Sequence, residues 1–389
     1  MADAVSGRVL ITGGAGFIGS RLARRLRESG RDVVVLDSLL PQVHGEDPQR
    51  NSSGLRALDG VAEVIVGSVS SEADLRRALT GVSHVVHLAA ETGTGQSMYE
   101  IDRYVSVNVG GTAKMLDILA NGSHGVQRIV VASSRSIYGE GAYATADGRV
   151  VYPPHRAETD LVAGDFDVHM PGEERIEVIA TDESAKLHPS SVYGITKQMQ
   201  ESLVMTVAPT LGIAPVSLRY QNVYGPGQSL QNPYTGILSI FSTRIRQGKD
   251  IQIFEDGNES RDFVFVDDVV SATELAVTHP GAAGQVFNVG SGVPTTVVEV
   301  VESLFAAYGT RVPTSVTGAF RLGDIRHNFA DTRRIRDLLG FEAAVPFPEG
   351  VRRFAEWVMG EPIGRDEFER SLGEMADRNL LKSSRMSAG

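Results

Sequence analysis

The sequence predicts an α/β protein with a doubly wound parallel sheet and a smaller α/β lobe. Short runs rich in Val, Ile and Leu alternate with amphipathic stretches, and this alternation is typical of a parallel sheet with helices on both faces. Because the runs are almost continuously apolar, we expect the strands to be buried on both sides. The predicted strands cover residues 8–12, 33–37, 64–66, 84–88, 128–132 and 215–220, with an added strand at 285–289.

Helical periodicity separates these runs, most clearly at residues 20–29, 72–79 and 108–119. Two later stretches are less regular and are interpreted as one smaller substrate-binding lobe. The chain turns polar and charged near its end, where we expect a loosely held tail. The predicted division is a dinucleotide-binding domain at 1–221 and 262–290, a substrate-binding lobe at 222–261 and 291–360, and a polar tail at 361–389.

Residues 140–188 form an unusually long, acidic stretch of low periodicity within the first domain. The stretch contains His155, His169 and His188 beside many carboxylates, but it lacks the cysteines of a zinc knuckle. We therefore predict no metal site. We expect a lid or a dimer-side excursion, because a lid at this place would exclude water from the active site.

Composition excludes several classes of function. The formal net charge is −11, so a broad basic field for nucleic acid or an anionic membrane is absent. No cysteine occurs, which excludes disulfides and thiolate nucleophiles. The first residues lack a signal-peptide pattern, and no apolar run is long enough to span a membrane. We expect a soluble, cytoplasmic protein.

A glycine pattern directly after the first predicted strand indicates a dinucleotide site. Gly13 permits a tight turn, Gly16 lets the backbone approach a pyrophosphate, and Gly19 lets helix and strand pack closely. The free N–H groups of the following helix then receive phosphate. Asp37 ends the next strand at about the expected offset of 20 residues. With Ser38 rather than Arg after it, Asp37 favours NAD over NADP.

A second group of residues has the chemistry of a proton-transfer site. Tyr193 and Lys197 are spaced i, i+4 at the start of a predicted helix, so they lie on one face. A neighbouring ammonium would favour the ionised phenol, which could then accept a proton from a substrate hydroxyl. Ser134 follows a predicted strand, where its hydroxyl would point into the ligand crevice.

Further motifs accompany these two sites, and with them the chain resembles the extended short-chain dehydrogenases/reductases that act on nucleotide sugars. The resemblance covers roughly residues 7–358. It implies a Rossmann sheet, tightly held NAD, a nucleotide-diphosphate sugar as substrate, and a homodimer. The matching motifs are TGGAGFIG at 12–19, HLAA at 87–90, NVGGT at 108–112, Ser134, Tyr193 with Lys197, LRYQNVYGP at 218–226 and SRDF at 260–263.

The resemblance also implies roles for single residues, with Ser134, Tyr193 and Lys197 as the catalytic group. Ser68 stands where relatives usually carry Asp beside the adenine, so we expect that contact to differ. The expected cofactor-binding residues are Gly13, Gly16, Phe17, Ile18, Gly19, Asp37, Ser68, Val69, Leu88, Ala89, Ala90, Thr92, Asn108, Tyr193 and Lys197. The expected substrate-binding residues are Thr94, Ser136, Asn222, Asn232, Arg261, Arg321 and Asp324, whose arginines suit a diphosphate.

The residues after Ser134 separate reaction types within this family. Family members that eliminate water resemble one another in an Asp-Glu pair directly after the catalytic hydroxyl residue. UDP-glucuronate decarboxylases usually carry Glu at the second of these two positions. This chain has Arg135 and Ser136 at the two positions. The resemblance therefore favours a 4-epimerase. Residues 37–45, 91–98, 138–141 and 219–240 look most like dTDP-L-rhamnose 4-epimerases. UDP-galactose 4-epimerases commonly carry a cation where this chain has Thr92.

Two alternatives to an epimerase stay open from the residues alone. A 4-ketoreductase or dehydrogenase of a deoxysugar nucleotide would use the same fold but consume NAD(P)H. A non-catalytic NAD sensor would also keep the glycine pattern, although it should have lost part of the catalytic group. The stretches at 108–119 and 196–207 are candidate dimer helices, and their apolar residues fit an ordinary core equally well.

Overall fold

The computed structural model describes residues 7–230, 232, 236–363 and 368–385. The strands in chain order are β1 (Arg8–Thr12), β2 (Asp32–Asp37), β3 (Glu63–Val66), β4 (Val82–His87), β5 (Arg128–Ser134), β6 (Tyr143–Thr145), β7 (Val150–Val151), β8 (Ile176–Val178), β9 (Ala214–Tyr220), β10 (Asn222–Tyr224), β11 (Ile251–Ile253), β12 (Ser260–Phe265), β13 (Gln285–Val289), β14 (Pro294–Thr296), β15 (Thr314–Val316), β16 (Ala319–Arg321), β17 (His327–Asn328) and β18 (Leu381–Ser383).

Helices connect most of these strands, and several of them are single turns. The α-helices are α1 (Phe17–Glu28), α2 (Pro41–His44), α3 (Pro48–Asn51), α4 (Ser53–Arg56), α5 (Glu72–Ala78), α6 (Thr94–Ser97), α7 (Ile101–Tyr104), α8 (Gly111–Ala120), α9 (Glu158–Ala163), α10 (Val192–Val207), α11 (Ile237–Gln247), α12 (Val266–Thr278), α13 (Val297–Tyr308), α14 (Arg333–Leu339), α15 (Phe347–Gly360) and α16 (Phe368–Ala376). A π-helical stretch, Val105–Gly110, joins α7 to α8.

The centre of the molecule is a parallel sheet of seven strands in the order β13-β9-β5-β4-β1-β2-β3. All seven strands predicted from the apolar runs lie in this sheet, and the added strand at residues 285–289 pairs with β9 at one edge. The predicted fold class is confirmed. The strand order reverses beside β1, and ligands of such sheets bind at the carboxyl ends of the strands near that reversal.

Both faces of the sheet are covered, as the apolar runs predict. Successive side chains of a strand point to opposite faces, and accordingly Val9 and Ile11 pack into one hydrophobic cluster while Leu10 packs into another. Val33 and Val34 divide between the same two clusters. Burial on both faces explains why the inner positions of β1 and β2 are apolar, while the charged residues Arg8 and Asp32 begin these strands.

Helix α10 is capped at its start and joined to the sheet near its middle. The Ser191 side chain caps its first turn by accepting a hydrogen bond from the Gly194 amide at 3.1 Å. Near its middle, the buried carboxylate of Glu201 pairs with Arg219 of β9 at 2.6 Å and also accepts a hydrogen bond from Ser217. The helix therefore presents the residues of its first turn at a defined position over the carboxyl edge.

Smaller sheets make up the second lobe. Strand β12 pairs with β10, β14 and β17, and β11 pairs with β15. The predicted domain boundary between residues 261 and 262 falls inside β12, whose residues through Phe265 pair with β10. The predicted boundary therefore lies within a strand, and the division into two domains stays a prediction. Helix α12 returns to the sheet domain and packs beside α1, where Arg25 and Glu274 form an ion pair.

The insert at 140–188 has secondary structure of its own. Its strands form a small antiparallel sheet in the order β7-β6-β8, and α9 precedes β8. The rings of His155 and His188 lie 4.0 Å apart. In the part of the chain that the structure describes, no group of three His, Asp or Glu side chains is arranged to hold a metal ion.

The chain beyond residue 360 is not the loosely held tail that its polarity predicts. Residues 368–376 form α16, and residues 381–383 form β18, which pairs antiparallel with β16. The buried positions of α16 are Phe368, Ser371 and Met375, so the helix has one packed face despite its charge. None of the helices in the described ranges is both long enough and apolar enough to cross a membrane.

Candidate active site

One continuous cavity of about 2510 Å³ extends from the glycine turn after β1, past the carboxyl ends of β4, β5 and β9, to the second lobe. The turn has the features that a close-approaching pyrophosphate needs. Gly13 has a φ of +69°, which disfavours any side chain. A Cβ on Gly19 would lie 2.6 Å from the Gly14 Cα, so glycine is required for the close packing of α1 on the turn.

Asp37 lines the same end of this cavity as the glycine turn. Its carboxylate accepts hydrogen bonds from the Ala15 and Leu39 amides, each at 2.9 Å. These bonds hold both oxygens beside the glycine turn, at the place where a ribose would lie. His44 lies 3.4 Å from the same carboxylate and also lines the cavity. The residues present therefore fit the adenosine half of a dinucleotide.

Ser134, Tyr193 and Lys197 all line the same cavity. Ser134 is the last residue of β5, and its Oγ accepts hydrogen bonds from the amide and the hydroxyl of Ser136, at 3.2 and 3.0 Å. Tyr193 is held from behind, because its amide donates to Ser97 Oγ at 3.0 Å. The structure thus brings the three predicted catalytic residues together over the carboxyl edge of the sheet.

The positive charge of Arg135 acts on Tyr193. Burial raises the pKa of Tyr193, while a hydrogen bond with Ser134 and the positive charge of Arg135 act in the opposite direction. Burial lowers the pKa of Lys197 itself to about 7, and its Nζ donates to Gln200 Oε1 at 2.8 Å. The charge of Arg135 therefore favours the ionised phenol.

A chain of buried polar groups fixes Lys197 from the core side. Gln200 donates to Thr112 Oγ1 at 2.9 Å, and His87 Nε2 lies 2.9 Å from the same oxygen. His87 Nδ1 lies 2.7 Å from Thr12 Oγ1. Burial lowers the pKa of His87 to about 3, so the ring is neutral. The Thr112 hydroxyl donates its hydrogen to the Asn108 carbonyl, so its oxygen can only accept from His87. The proton of the neutral His87 ring is therefore assigned to Nε2.

The substrate end of the cavity holds three arginines around one carboxylate. Arg321 lies 3.0 Å and Arg261 lies 3.3 Å from the carboxylate of Asp324. Although burial opposes it, the charges of Arg321, Arg261 and Arg135 hold the pKa of Asp324 well below its usual value. Arg261 also donates to the carbonyls of Ser260, Ile325 and Arg326. Arg261 therefore shapes the loop around Asp324 as well as facing the cavity.

Most of the predicted binding residues line the cavity. Two do not, Asn108 and Ser136. Asn108 is fully buried and binds the Glu91 backbone and Thr196 Oγ1, while Ser136 contacts Ser134 from behind. The predicted residues that line the cavity are Gly13, Gly16, Phe17, Ile18, Gly19, Asp37, Ser68, Val69, Leu88, Ala89, Ala90, Thr92, Thr94, Ser134, Tyr193, Lys197, Asn222, Asn232, Arg261, Arg321 and Asp324.

The insert does not cover the cavity, which corrects the expectation of a lid. No described residue between 140 and 188 lines it. The insert lies behind the substrate loop instead, where the Arg156 side chain binds Glu255 through two hydrogen bonds of 2.8 and 2.9 Å and donates to the Asp324 carbonyl at 3.1 Å. The insert therefore supports the loop that carries Asp324.

Arg135 is the main site residue that the sequence did not single out for binding. It lines the cavity, and its Nε donates to Asn222 Oδ1 at 2.7 Å. Burial and the charge of Arg261 lower its pKa to about 9. The signal was present, because Arg135 follows Ser134 at the same strand end. Residues of α16 also line the cavity, as described below.

The parallel sheet, the glycine turn at its reversal and the Ser–Tyr–Lys group in one cavity define a dinucleotide-dependent enzyme of the short-chain dehydrogenase/reductase type. Comparison with known proteins agrees. Residues 9–290 match the model of the "NAD dependent epimerase/dehydratase family". The chain belongs to this family, and its cofactor is NAD.

The similar proteins cover nearly the whole chain. A dTDP-L-rhamnose 4-epimerase of Burkholderia thailandensis is 38% identical over 363 residues, which are 92% of this chain and 97% of that protein. A UDP-glucose 4-epimerase of Mycolicibacterium smegmatis is 31% identical over 90% of this chain and 98% of its own. Among solved structures, MoeE5 in complex with UDP-glucuronic acid and NAD is 31% identical with a TM-score of 0.71, covering 91% of this chain and 99% of its own.

Proposed function

We propose that the chain is a nucleotide-sugar 4-epimerase whose substrate is a dTDP- or UDP-activated hexose or deoxyhexose, with dTDP-L-rhamnose as the first candidate. The observation that carries the proposal is the joint placement of Ser134, Tyr193 and Lys197 in the cavity that begins at the glycine turn. The two positions after Ser134 hold Arg135 and Ser136, whereas the elimination of water needs an acid and a base there. The 38% identity to a dTDP-L-rhamnose 4-epimerase supports the sugar.

The residues perform proton transfer at the sugar's 4-hydroxyl. Tyr193 accepts the hydroxyl proton while Ser134 donates a hydrogen bond to the same oxygen, and Tyr193 returns the proton in the second half of the reaction. Bound NAD supplies the group that takes up the hydride from C4 and gives it back on the other face. Lys197 holds its place through Gln200 and is available to the ribose next to Tyr193. The cofactor is regenerated in each turnover.

The arginines and Asp324 bind the rest of the substrate. Arg321 and Arg261 face the diphosphate, for which guanidinium groups are suited, and Asp324 holds both arginines in place. The charge of Arg135 acts on both Asp324 and Tyr193, so it contributes at the diphosphate end and at the reacting oxygen. A local group of cations explains how a chain of net charge −11 binds an anionic substrate.

Incubation of the purified protein with dTDP-L-rhamnose, without any added reductant, tests the function. We expect an equilibrium mixture of the two C4 epimers, measured by proton NMR of the sugar. UDP-glucose is the second substrate for the same measurement. If product forms only when NADH or NADPH is added in stoichiometric amount, with the matching loss of absorbance near 340 nm, the chain is a 4-ketoreductase and the proposal is wrong.

The charge of Arg135 should be visible in the pH dependence of kcat/KM. Because this charge lowers the pKa of Tyr193, Arg135→Gln should move the rising limb of the profile to higher pH. The conservative variant Arg135→Lys keeps a cation at the position and should move the limb less. The measurement is kcat/KM from pH 5.5 to 10 for the three proteins. Profiles that coincide would remove Arg135 from the ionisation of Tyr193.

We further propose a cytoplasmic homodimer. Helix α10 and the helices before α8 expose apolar side chains on one side, namely Ile101, Val105, Ile195 and Met199, each between 41% and 52% exposed. Large apolar groups that cluster on a surface favour a protein partner, and the absence of cysteine suits a reducing compartment. Light scattering of the purified protein would test the dimer, and a monomer mass would contradict it.

A further inference from the structure

The last described part of the chain, residues 368–385, is part of the cavity wall. We call it the C-terminal segment. It lies across from the loop after β4 and beside strand β16 of the second lobe, whereas the glycine turn lies at the other end of the cavity. The residues of the segment that line the cavity are Phe368, Arg370, Glu374, Met375 and Leu380. The segment therefore covers the half of the cavity that we assign to the substrate.

The segment is joined to the second lobe by main-chain hydrogen bonds. Strand β18 pairs with β16 so that Leu381 lies opposite Arg321. The Leu322 amide donates to the Leu380 carbonyl and the Ser384 amide donates to the Gly318 carbonyl, each at 3.0 Å. These bonds also fix the strand that carries Arg321, so the segment and this arginine move as one body.

The described contacts between the segment and the sheet domain are made by side chains. Tyr99 Oη donates to Glu374 Oε2 at 3.0 Å, and the Arg378 guanidinium lies 4.3 Å from the centre of the Tyr99 ring. The Met375 sulfur packs against Gly95, where an added Cβ would lie 3.0 Å from it. Tyr99 itself does not line the cavity.

These two attachments differ in kind. A strand ladder joins the segment to the lobe, whereas the described contacts between the segment and the sheet domain are made by side chains, including the Lys382–Glu158 ion pair with the insert. Contacts of the second kind are individually weak and reversible. The side toward Tyr99 is thus the side on which the cavity can open without unfolding either domain.

We propose that the C-terminal segment is a substrate-binding element that closes on Tyr99 and retains the sugar between the two hydride transfers. The proposal rests on the proposed epimerase function. When C4 has given its hydride to the cofactor and its hydroxyl proton to Tyr193, the 4-keto sugar must stay bound until both return. If it leaves first, the two electrons stay behind on the cofactor, which is then reduced and inactive for epimerisation.

Two variants of the full enzyme test the segment. The first ends at Ile363 and lacks the segment, and the second is Tyr99→Ala, which removes the hydrogen bond to Glu374 and the contact with Arg378 without changing a residue of the cavity wall. On mixing with dTDP-L-rhamnose, we expect absorbance at 340 nm to rise toward one reduced cofactor per active site in both variants, while the wild type stays flat. Tyr152→Ala, a half-buried tyrosine of the insert that does not line the cavity, is the matched control and should also stay flat.

A binding measurement separates the segment from catalysis. In a Tyr193→Phe background, which stops turnover, calorimetry with dTDP-L-rhamnose should give a Kd about tenfold higher without the segment. Unchanged Kd and flat absorbance in both variants would overturn the inference even if the wild type is an active epimerase. If the shortened chain does not fold, the absorbance at 340 nm and the Kd of the Tyr99→Ala variant alone test the inference. A wild type that neither binds nor converts the sugar contradicts the proposed function and the inference together.

Discussion

Replacing Tyr193 by phenylalanine should leave the purified protein with its full content of NAD and lower kcat by about 10²-fold or more, the range of general acid–base catalysis. The ring stays in place because the helix that carries it is fixed by Ser191 and Glu201, neither of which contacts the phenol oxygen. Only the proton acceptor is lost. The measurements are kcat for the epimerisation and the NAD released on denaturation.

The control for this variant is Tyr143→Phe in the insert. The Tyr143 hydroxyl is buried and has no hydrogen-bond partner among the described residues, and Tyr143 does not line the cavity. Removing that hydroxyl should leave kcat unchanged. Full activity of Tyr193→Phe would show that the proton leaves the sugar by another route, and loss of NAD from this variant would show that Tyr193 binds the cofactor more than it catalyses.

The parts of the fold that the sequence predicts correctly are those with local signals. The seven strands of the central sheet are short apolar runs, and each run lies in a hydrophobic environment on both faces whatever the order of the strands. The glycine turn carries a similar local signal, because Gly13 has a positive φ and a Cβ on Gly19 would meet Gly14 of the same turn, although a Cβ on Gly13 would also lie 2.9 Å from the distant Ala89 amide nitrogen. The spacing and composition of the sequence are sufficient to predict such elements.

Some features of the site depend on contacts between distant parts of the chain. The side chain of Asn108 binds Glu91 and Thr196, no local pattern shows these partners, and its predicted contact with the cofactor stays a prediction. The insert was expected to be a lid or a dimer-side excursion, and it does not line the cavity, since Arg156 binds Glu255, which is 99 residues away. Strand β18 forms only because β16 offers an edge to it.

The C-terminal segment shows what a closer inspection of the sequence could have found. Phe368, Leu372 and Met375 recur at helical spacing within a charged stretch, and this spacing predicts one apolar face. The place where that face packs could not be predicted, because it requires the positions of Gly95 and of the second lobe. The sequence predicts the apolar face of α16, but it does not predict that this helix lines the cavity.

Replacing Arg156 by methionine should cause the largest loss of stability among single changes in the insert. The side chains of Arg156 and Glu255 are 3% and 5% exposed, and they form a two-bonded ion pair. Removing one partner of a buried pair typically costs about 3–5 kcal/mol, and we expect the lower end of this range because Arg326 Nη1, 3.1 Å from Glu255 Oε2, still compensates part of the charge of Glu255. Glu140, whose Oε1 lies 3.4 Å from Arg156 Nε, loses the same cation. The measurement is the free energy of unfolding of the protein in urea.

The loss should depend on pH in a defined direction. Burial already raises the pKa of Glu140 to about 7, although the charge of Arg156 opposes this rise. Without Arg156 the folded-state pKa rises further above the unfolded value of about 4.5, so the folded variant binds a proton that the unfolded chain releases. Such a group stabilises the fold at low pH and loses this contribution as pH rises. We expect Arg156→Met to be less damaging at pH 5.5 than at pH 8.

The matched control is Arg149→Met, which lies in the same insert but on its surface. Arg149 pairs with Asp147 and Glu173 with its own side chain 60% exposed, and pairs of this kind contribute little. Its loss should change neither stability nor KM. Arg156→Met should also raise the KM for the nucleotide sugar, because Arg156 holds the Asp324 carbonyl and Asp324 orients two arginines of the cavity. Equal stability of both variants at pH 8 would mean that the insert does not support the substrate loop.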